Sequence, residues 1–585
     1  MKNKSILLIA TALLLTGCLN QLYSSPSFPE GFNKKLVTIF AANPENGKII
    51  EQTGFPIGIK NSNNVPYISI KNAFEFLGEI RKENIGKSAY YKLNNNNGIA
   101  TITNERNATC IFDKTKKNIT FSDFDSFITQ SGNDYIPFNA YTPSANTKSI
   151  SLNKEKSIYT AGKEYVIDLN KYKSIDIIDN SKGDYFIPLQ TFNDLFLSHF
   201  GLSFGYNFKD LYLLGNNSLG SVDKPSELAK KYYNAPNNVT LNQDYIQFSY
   251  DELCLNIDYN YGLKDRKNIS TADIYLESIG AKTLLNSLDA KQIDRGLYKF
   301  CYQQLDDHHT GLSATSPLYP RNEFVKHEED MLEKTNAWYE ADEALKKARK
   351  AENKITPFEV IDDTAYIYFD SFTGIDEKLL YKSTWNNEEI AKSDAILFAY
   401  AYKEITKANS GVRNVVIDIA TNDGGSVDSC IFDIATIVGE FNIELLNPQT
   451  GAYSKSFYNA DINLDGKIDN NDVPLAANYN IILLNSNQSF SCGNLLPVTV
   501  KHTNPNKVKT LGETTGGGTC VLANHTTAIG ATFSTSGLRR LSYSVDGQVK
   551  DIEDGIPADY ELSRNDFFNR NQINTLINST IFPKN

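Results

Sequence analysis

A chain of 585 residues exceeds the roughly 100–200 residues of an ordinary domain, so more than one domain is expected. Hydrophobic residues at 41% and charged residues at 22% exclude wholesale disorder. With 58 basic against 69 acidic side chains the net charge is −11, which argues against a broad electrostatic grip on nucleic acid.

The first residues read as an address. Lys2 and Lys4 precede an apolar run, Ile6 to Leu15, broken only by Thr11 and too short for an ordinary membrane span. Leu15-Thr16-Gly17-Cys18 follows. Small residues before a cysteine at the end of such a run resemble a bacterial lipobox. That resemblance implies cleavage before Cys18 and a lipid on its sulfur; the alternative is an ordinary signal peptide with an unrelated cysteine. No later stretch is long and apolar enough to cross a membrane. The mature chain is therefore expected in the bacterial cell envelope, outside the cytoplasm, held to a membrane by a lipid anchor. Six cysteines remain (Cys110, Cys254, Cys301, Cys430, Cys492 and Cys520), without a CxxC pair. Zinc is not expected, and their pairing is not readable.

After residues 1–18, residues 19–36 carry Ser, Pro, Gly and Asn and read as a tether. Residues 37–220 form a β-rich N-terminal region. Two parts of it look alike: Val65 to Ile70 leads into Lys71 to Leu77, and Tyr185 to Leu189 leads into Gln190 to Phe196. Each is a short strand followed by a helical pattern. Duplication and coincidence both account for this, and the pattern loosely resembles the N-terminal repeat of copper amine oxidases. Residues 225–355 turn helical, with apolar spacing over Thr271 to Gln304 and a charged run, His327 to Lys354, that reads as a solvated helix face. From 356 to 570 strands alternate with helices, which implies an α/β layer.

Three segments of the second half carry chemistry. Val415 to Ile419 is a buried strand that runs through Asn422 into Gly424-Gly425, a turn whose N–H groups can hold a developing oxyanion. Asn480 to Leu484 is a second buried strand that delivers Ser491 and Cys492 to a helix start, where a serine either feels the positive end of the helix dipole or merely caps it. Asp306-Asp307-His308-His309-Thr310 gathers two of the six histidines beside two carboxylates.

Together these resemble the S41 peptidases, the family of C-terminal processing and tricorn-type proteases. The matching motifs run in one order: Asp-x-His-Thr at 307–310, Asn-x-Gly-Gly at 422–425, Ser491 before a helix, Gly512-Glu513-Thr514-Thr515, and Glu553 ahead of Gly555 to Asp559. The resemblance implies a ClpP/crotonase-like α/β core within a multidomain α+β chain, and hydrolysis of a polypeptide substrate. It assigns Ser491 as nucleophile, His309 as base and Glu553 as the group that orients or polarises the site. It places an oxyanion hole on the N–H groups of Gly424 or Gly425 and of Cys492. Gly516-Gly517-Gly518 stands where the Ser-Lys branch has its lysine, so the tricorn-like Ser-His-Glu branch is the one resembled, without a catalytic metal. Two departures remain: Asp418-Ile419-Ala420 replaces Asp-Leu-Arg, removing an arginine contact, and no PDZ signature is visible. His308 is the other candidate base. The rival reading is a binding protein that kept this fold and lost hydrolysis.

Asp461 to Asp472 matches the calcium loop of EF-hand and dockerin-like segments. Asp461, Asn463, Asp465, Asp469 and Asp472 fall at positions 1, 3, 5, 9 and 12, Gly466 makes the turn, and Lys467 stands where a backbone carbonyl ligates. A structural Ca²⁺ is expected there; an Asn/Asp-rich surface turn is the alternative.

Overall fold

The computed structural model describes residues 23–583 apart from 44–46, 86–90, 97, 130–146, 181, 237–238 and 352–355. The signal segment and Cys18 lie outside the described residues. Residues 23–36 are not a tether. Tyr23 meets Phe55 edge to face at 4.8 Å, Phe28 packs on Phe186 at 4.9 Å, and a strand begins at Phe32. The polar composition of this stretch hid three aromatic rings that bury apolar area.

The two look-alike segments fold alike. Pro66–Ser69 leads into α1 (Ile70–Ile85), and Tyr185–Pro188 leads into α2 (Leu189–Leu195). Their strands are antiparallel neighbours in one seven-stranded sheet, with Ile68 opposite Ile187. The chain then departs from the expected partition. Strand β1 (Ile150–Thr160) leaves the N-terminal region and pairs with Tyr453–Ala460 at the edge of a second seven-stranded sheet. A single hydrophobic core also runs from Tyr23 through Phe248 and Phe300 to Phe533 and Leu538. The boundaries at 220 and 355 therefore separate regions of different composition that share one core. Pairing across some 300 residues leaves no local trace in a sequence.

The second sheet contains β2 (Gly311–Ala314), which follows the histidine motif directly and pairs with a long strand described below as β7. The third layer is a six-stranded sheet. From β3 (Thr364–Tyr368) it runs in parallel through β4 (Asn414–Asp418), β5 (Asn480–Asn485) and β6 (Val508–Gly512) to Tyr560–Glu561. These strands are buried on both faces, as parallel strands covered by helices are. On one face Phe398, Ile431 and Leu495 pack from three helices. On the other, Leu345 packs from α3 (Glu333–Ala351) and Ile573 from the C-terminal helix. Because β4 and β5 are parallel neighbours, their C-terminal ends open side by side, where open α/β sheets bind ligands. The long strand β7 (Thr532–Val545) belongs to the second sheet and holds β2. The fold is thus multidomain α+β with an α/β layer in its C-terminal half. No helix among the described residues is long and apolar enough to cross a membrane. All six described cysteines are buried free thiols.

Candidate active site

Beyond β5 the chain turns through Ser486 to Phe490 and enters α4 (Cys492–Thr503). Ser491 sits at the helix N-cap with φ 57° and ψ −120°, yet its side chain makes no capping hydrogen bond. A left-handed serine is strained, and such strain persists only where its surroundings over-determine it. Here the Ser491 N–H donates to the Gly517 carbonyl at 2.9 Å, and the Ser491 carbonyl accepts the N–H of Leu495 at 2.8 Å. The other serines of the turn are committed: the Ser489 hydroxyl donates to the Ile419 carbonyl at 2.8 Å, and the Ser486 hydroxyl donates to the Ala420 carbonyl. The capping role open to Ser491 from sequence is therefore not the one it performs.

Past β4, the Gly424 backbone lies against the nucleophile turn. A Cβ at Gly424, whose φ is +102°, would sit 2.7 Å from Ser491 Cβ, so only glycine fits. Gly424 is corrected as an oxyanion donor, because its N–H already donates to Asn422 Oδ1 at 2.9 Å. The N–H groups of Gly425 and Cys492 have no acceptor among the described residues.

The histidine motif is built around Asp307. Its carboxylate accepts from the His309 N–H (3.0 Å), Thr310 Oγ1 (2.6 Å), the Tyr261 hydroxyl (3.1 Å) and Ser536 Oγ on β7 (3.0 Å). So employed, Asp307 shapes the turn. His309 is buried, with its ring 4.7 Å from that of Phe490, the residue before Ser491, and its Nδ1 has no hydrogen-bond partner. Burial lowers the His309 pKa, opposed by the Asp307 charge. His308 stacks on Trp338 at 4.0 Å and 18°, and lies 5.5 Å from Phe490. Burial takes its pKa down to about 4 against the pull of Asp306. Both imidazoles therefore flank the ring that precedes the nucleophile, and both are neutral at neutral pH.

Glu553 accepts the Thr519 N–H at 2.9 Å, one residue beyond the glycine run that holds Ser491. Burial raises its pKa to about 7. The Thr519 N–H opposes that rise, Asp307 adds to it, and Lys267 and Arg266 oppose it more weakly. Its loop is clamped by Arg266, which bonds Asp551 and Asp554, and by Arg540, which bonds Asp551.

Asp418 has two arginine partners from distant parts of the chain. Arg349 of α3 reaches the buried Asp418 at 2.7 Å and Asp370 at 3.1 Å, and Arg570 reaches Asp418 at 3.2 Å. Sequence reading missed Arg349 inside a charged run and missed Trp338, whose one signal was that tryptophan occurs only twice.

The loop at 461–472 is closed by its own side chains. Asp461 accepts the N–H groups of Asp465 (3.1 Å) and Gly466 (2.7 Å), and Asp472 accepts those of Ile462 (2.7 Å) and Asp469 (2.8 Å). Asn463 Oδ1 takes the Asp465 N–H, and Asp465 Oδ1 the Lys467 N–H. The hard oxygen donors at 461, 463 and 465 fit calcium. The carboxylates of the loop do not form a convergent group. Among the described residues the convergent set is His327, Glu329 and Asp330, where Arg295 already bonds Asp330 at 2.8 Å.

A parallel sheet that delivers an uncommitted serine to a helix N-terminus, with two donor N–H groups and a histidine pair packed on the neighbouring Phe490, is an arrangement suited to a serine-type peptidase. Residues 363–562, about a third of the chain, match the model of Peptidase family S41. A proposed peptidase from Parabacteroides merdae ATCC 43184 is 17% identical, covering 55% of this chain and 90% of its own at a TM-score of 0.35. A lipoprotein from Streptococcus agalactiae is 13% identical, covering 54% and 91% at 0.32. A photosystem II D1 C-terminal processing protease is 17% identical, covering 34% and 42% at 0.24. No curated protein matches the chain.

Proposed function

We propose that the chain is a lipid-anchored, extracytoplasmic serine peptidase that works through Ser491, His309 and Glu553 and an acyl-enzyme. The observation that carries this reading is the left-handed Ser491, free of any capping bond, next to the N–H groups of Gly425 and Cys492. In this reading neutral His309 takes the Ser491 proton as the hydroxyl attacks the peptide carbonyl. The oxyanion is held by Gly425 and Cys492, and His309 returns the proton to the leaving amine. Water then attacks the ester by the same route. Ionised Glu553 stabilises the imidazolium across the site. Apo hydrogen bonds of this kind tighten on substrate binding, so the absence of a bond between His309 and Ser491 is compatible with the role. The anchor would be a lipid on Cys18. A Ca²⁺ held by Asp461, Asn463 and Asp465, with Lys467 supplying its carbonyl and Asp469 and Asp472 closing the loop, would fix the connection ahead of β5 and take no part in the chemistry.

The test is a fluorophosphonate probe on the purified protein, with the label mapped by peptide sequencing. Label is expected on Ser491 and is lost in Ser491→Ala. A wild-type protein that neither labels nor cleaves peptides is a binding protein on a peptidase fold.

A further inference from the structure

The charged helix α3 is not a solvated face. Its contact stripe is Thr335, Trp338, Asp342, Leu345 and Arg349, alternating three and four residues apart on one side of the helix. Thr335, Leu345 and Arg349 are buried, so the stripe buries polar groups as well as apolar ones. Buried polar side chains are costly unless each meets a partner; Thr335 and Arg349 meet theirs in segments that form the site, Asp306 and Asp418, while Asp342 pairs with Lys346 of its own helix. Near the helix N-terminus Lys334 pairs with Asp306 of the histidine motif at 2.6 Å. Towards its C-terminus Lys346 reaches Asp423, beside Gly424, at 3.7 Å, and Arg349 holds Asp418 at the end of β4.

Trp338 lies between these ends and touches the two segments that carry Ser491 and His309. Its indole Nε1–H donates to the carbonyl of Asn487, in the turn that presents Ser491, at 3.0 Å. Gln488 Nε2 donates back to the Trp338 carbonyl at 3.2 Å. The face of the same indole carries the His308 ring, and Phe490 lies edge-on to it at 6.1 Å.

We propose that Trp338 is a positioning residue that locks the Ser491 turn to the His308-His309 pair, with α3 as the strap that keeps the catalytic segments in register. This rests on the serine-peptidase reading for its kinetic consequence, but not for its structural one. The histidine motif and the nucleophile are some 180 residues apart in sequence and arrive on different sheets, so nothing in either sheet alone fixes their separation. The indole does so directly, with one polar contact to the turn and one stacked contact to the imidazole. Displacing reacting groups by about 1 Å costs up to about a hundredfold in rate.

The experiment compares Trp338→Ala and Trp338→Phe in the full-length protein. It measures kcat and KM on a peptide substrate, and amide hydrogen exchange over 306–310 and 486–492 with β4 as the reference. Trp338→Ala should lower kcat by about ten- to a hundredfold with KM within about twofold. It should speed exchange in those two segments and leave β4 unchanged. Trp338→Phe keeps a ring for His308 to stack on but lacks the Nε1–H, so it should restore protection over 306–310 and part of kcat while 486–492 stays as exposed to exchange as in Trp338→Ala. A kcat within about twofold of wild type in Trp338→Ala overturns the proposal. So does exchange that rises evenly across the sheet, or a phenylalanine variant no better than alanine. If the wild-type protein itself neither cleaves nor labels, the peptidase reading falls, and the exchange contrast alone still decides whether Trp338 ties the two segments.

Discussion

Replacing Glu553 by glutamine should stabilise the folded protein at alkaline pH while disabling it. The folded carboxyl holds its proton to about pH 7, whereas the ordinary value is 4.5, and burial is the main cause. Between those limits the folded state binds more protons than the unfolded state, so stability falls as pH rises and the full loss stands above pH 7. The displacement corresponds to about 3 kcal/mol. Glutamine carries no charge to desolvate, and its amide oxygen can still accept the Thr519 N–H that Glu553 accepts now. Urea unfolding at about pH 4.5, 6 and 8 should show the two proteins within about 0.5 kcal/mol at the lowest pH. The variant should lead by up to about 3 kcal/mol at the highest. Activity should move the other way. His309 is already neutral near pH 7 because burial lowers its pKa, so the rise of kcat/KM near pH 7 should belong to Glu553. It should vanish in Glu553→Gln, leaving a low, flat profile. A stability gap that does not change with pH, or a variant less stable at pH 8, would refute the electrostatic account of this residue.

Arg349→Met removes one of two guanidinium groups from the buried Asp418. It should cost about 3 kcal/mol, the lower end for a broken buried pair, because Arg570 remains; a loss under about 1 kcal/mol in urea melts would show that Arg570 suffices. Cys18→Ser should abolish metabolic labelling with a fatty acid and release the protein from the membrane fraction, and retention of both would exclude the lipid anchor. Calcium should raise the melting temperature once its concentration exceeds a dissociation constant on the order of 10⁻⁴–10⁻³ M, and Asp461→Ala with Asp465→Ala should remove that response. Identical melts with calcium and with chelator would leave the loop as a turn closed by its own hydrogen bonds.

The residues proposed for the chemistry could be picked out because motif order survives where overall similarity does not. Ser491, His309 and Glu553 lie 62 or more residues apart, yet each sits in a short pattern dictated by local geometry: a strand, a tight turn, a helix start. The Gly424-Gly425 pair was legible for the same reason, although which N–H was already occupied depended on where the Asn422 side chain turned. What stayed hidden is what packs from a distance. Arg349 and Arg570 come to Asp418 from distant parts of the chain, and nothing local to either announces the pairing. Trp338 looked like part of a solvated helix because its neighbours in sequence are charged, while its neighbours in space are His308, Asn487 and Phe490. The crossing of β1 into the second sheet was hidden for a similar reason: its alternating pattern identifies a strand but not the partner.

The glycine run at 516–518 leaves no room for a lysine beside Ser491. In the Ser-Lys branch of the family that the sequence resembles, which is not the branch resembled here, a lysine would stand at the Gly518 position. Here Gly518 has φ +83°, and a Cβ built on it would fall 2.6 Å from the Phe490 ring and 2.9 Å from the Ser491 nitrogen. A lysine stem cannot start from that point without displacing both the ring and the backbone of the nucleophile. The space is filled instead by Phe490, and the other contacts of Phe490 are His309 at 4.7 Å, His308 at 5.5 Å and Trp338 at 6.1 Å. Loss of the lysine and placement of the histidines are thus one packing solution. A bare glycine admits an aromatic wedge beside Ser491, and the wedge is the surface against which the imidazoles pack. The same crowding desolvates them, which lowers their pKa values, so that in the proposed mechanism the base would be neutral at the pH where an unperturbed lysine would be charged.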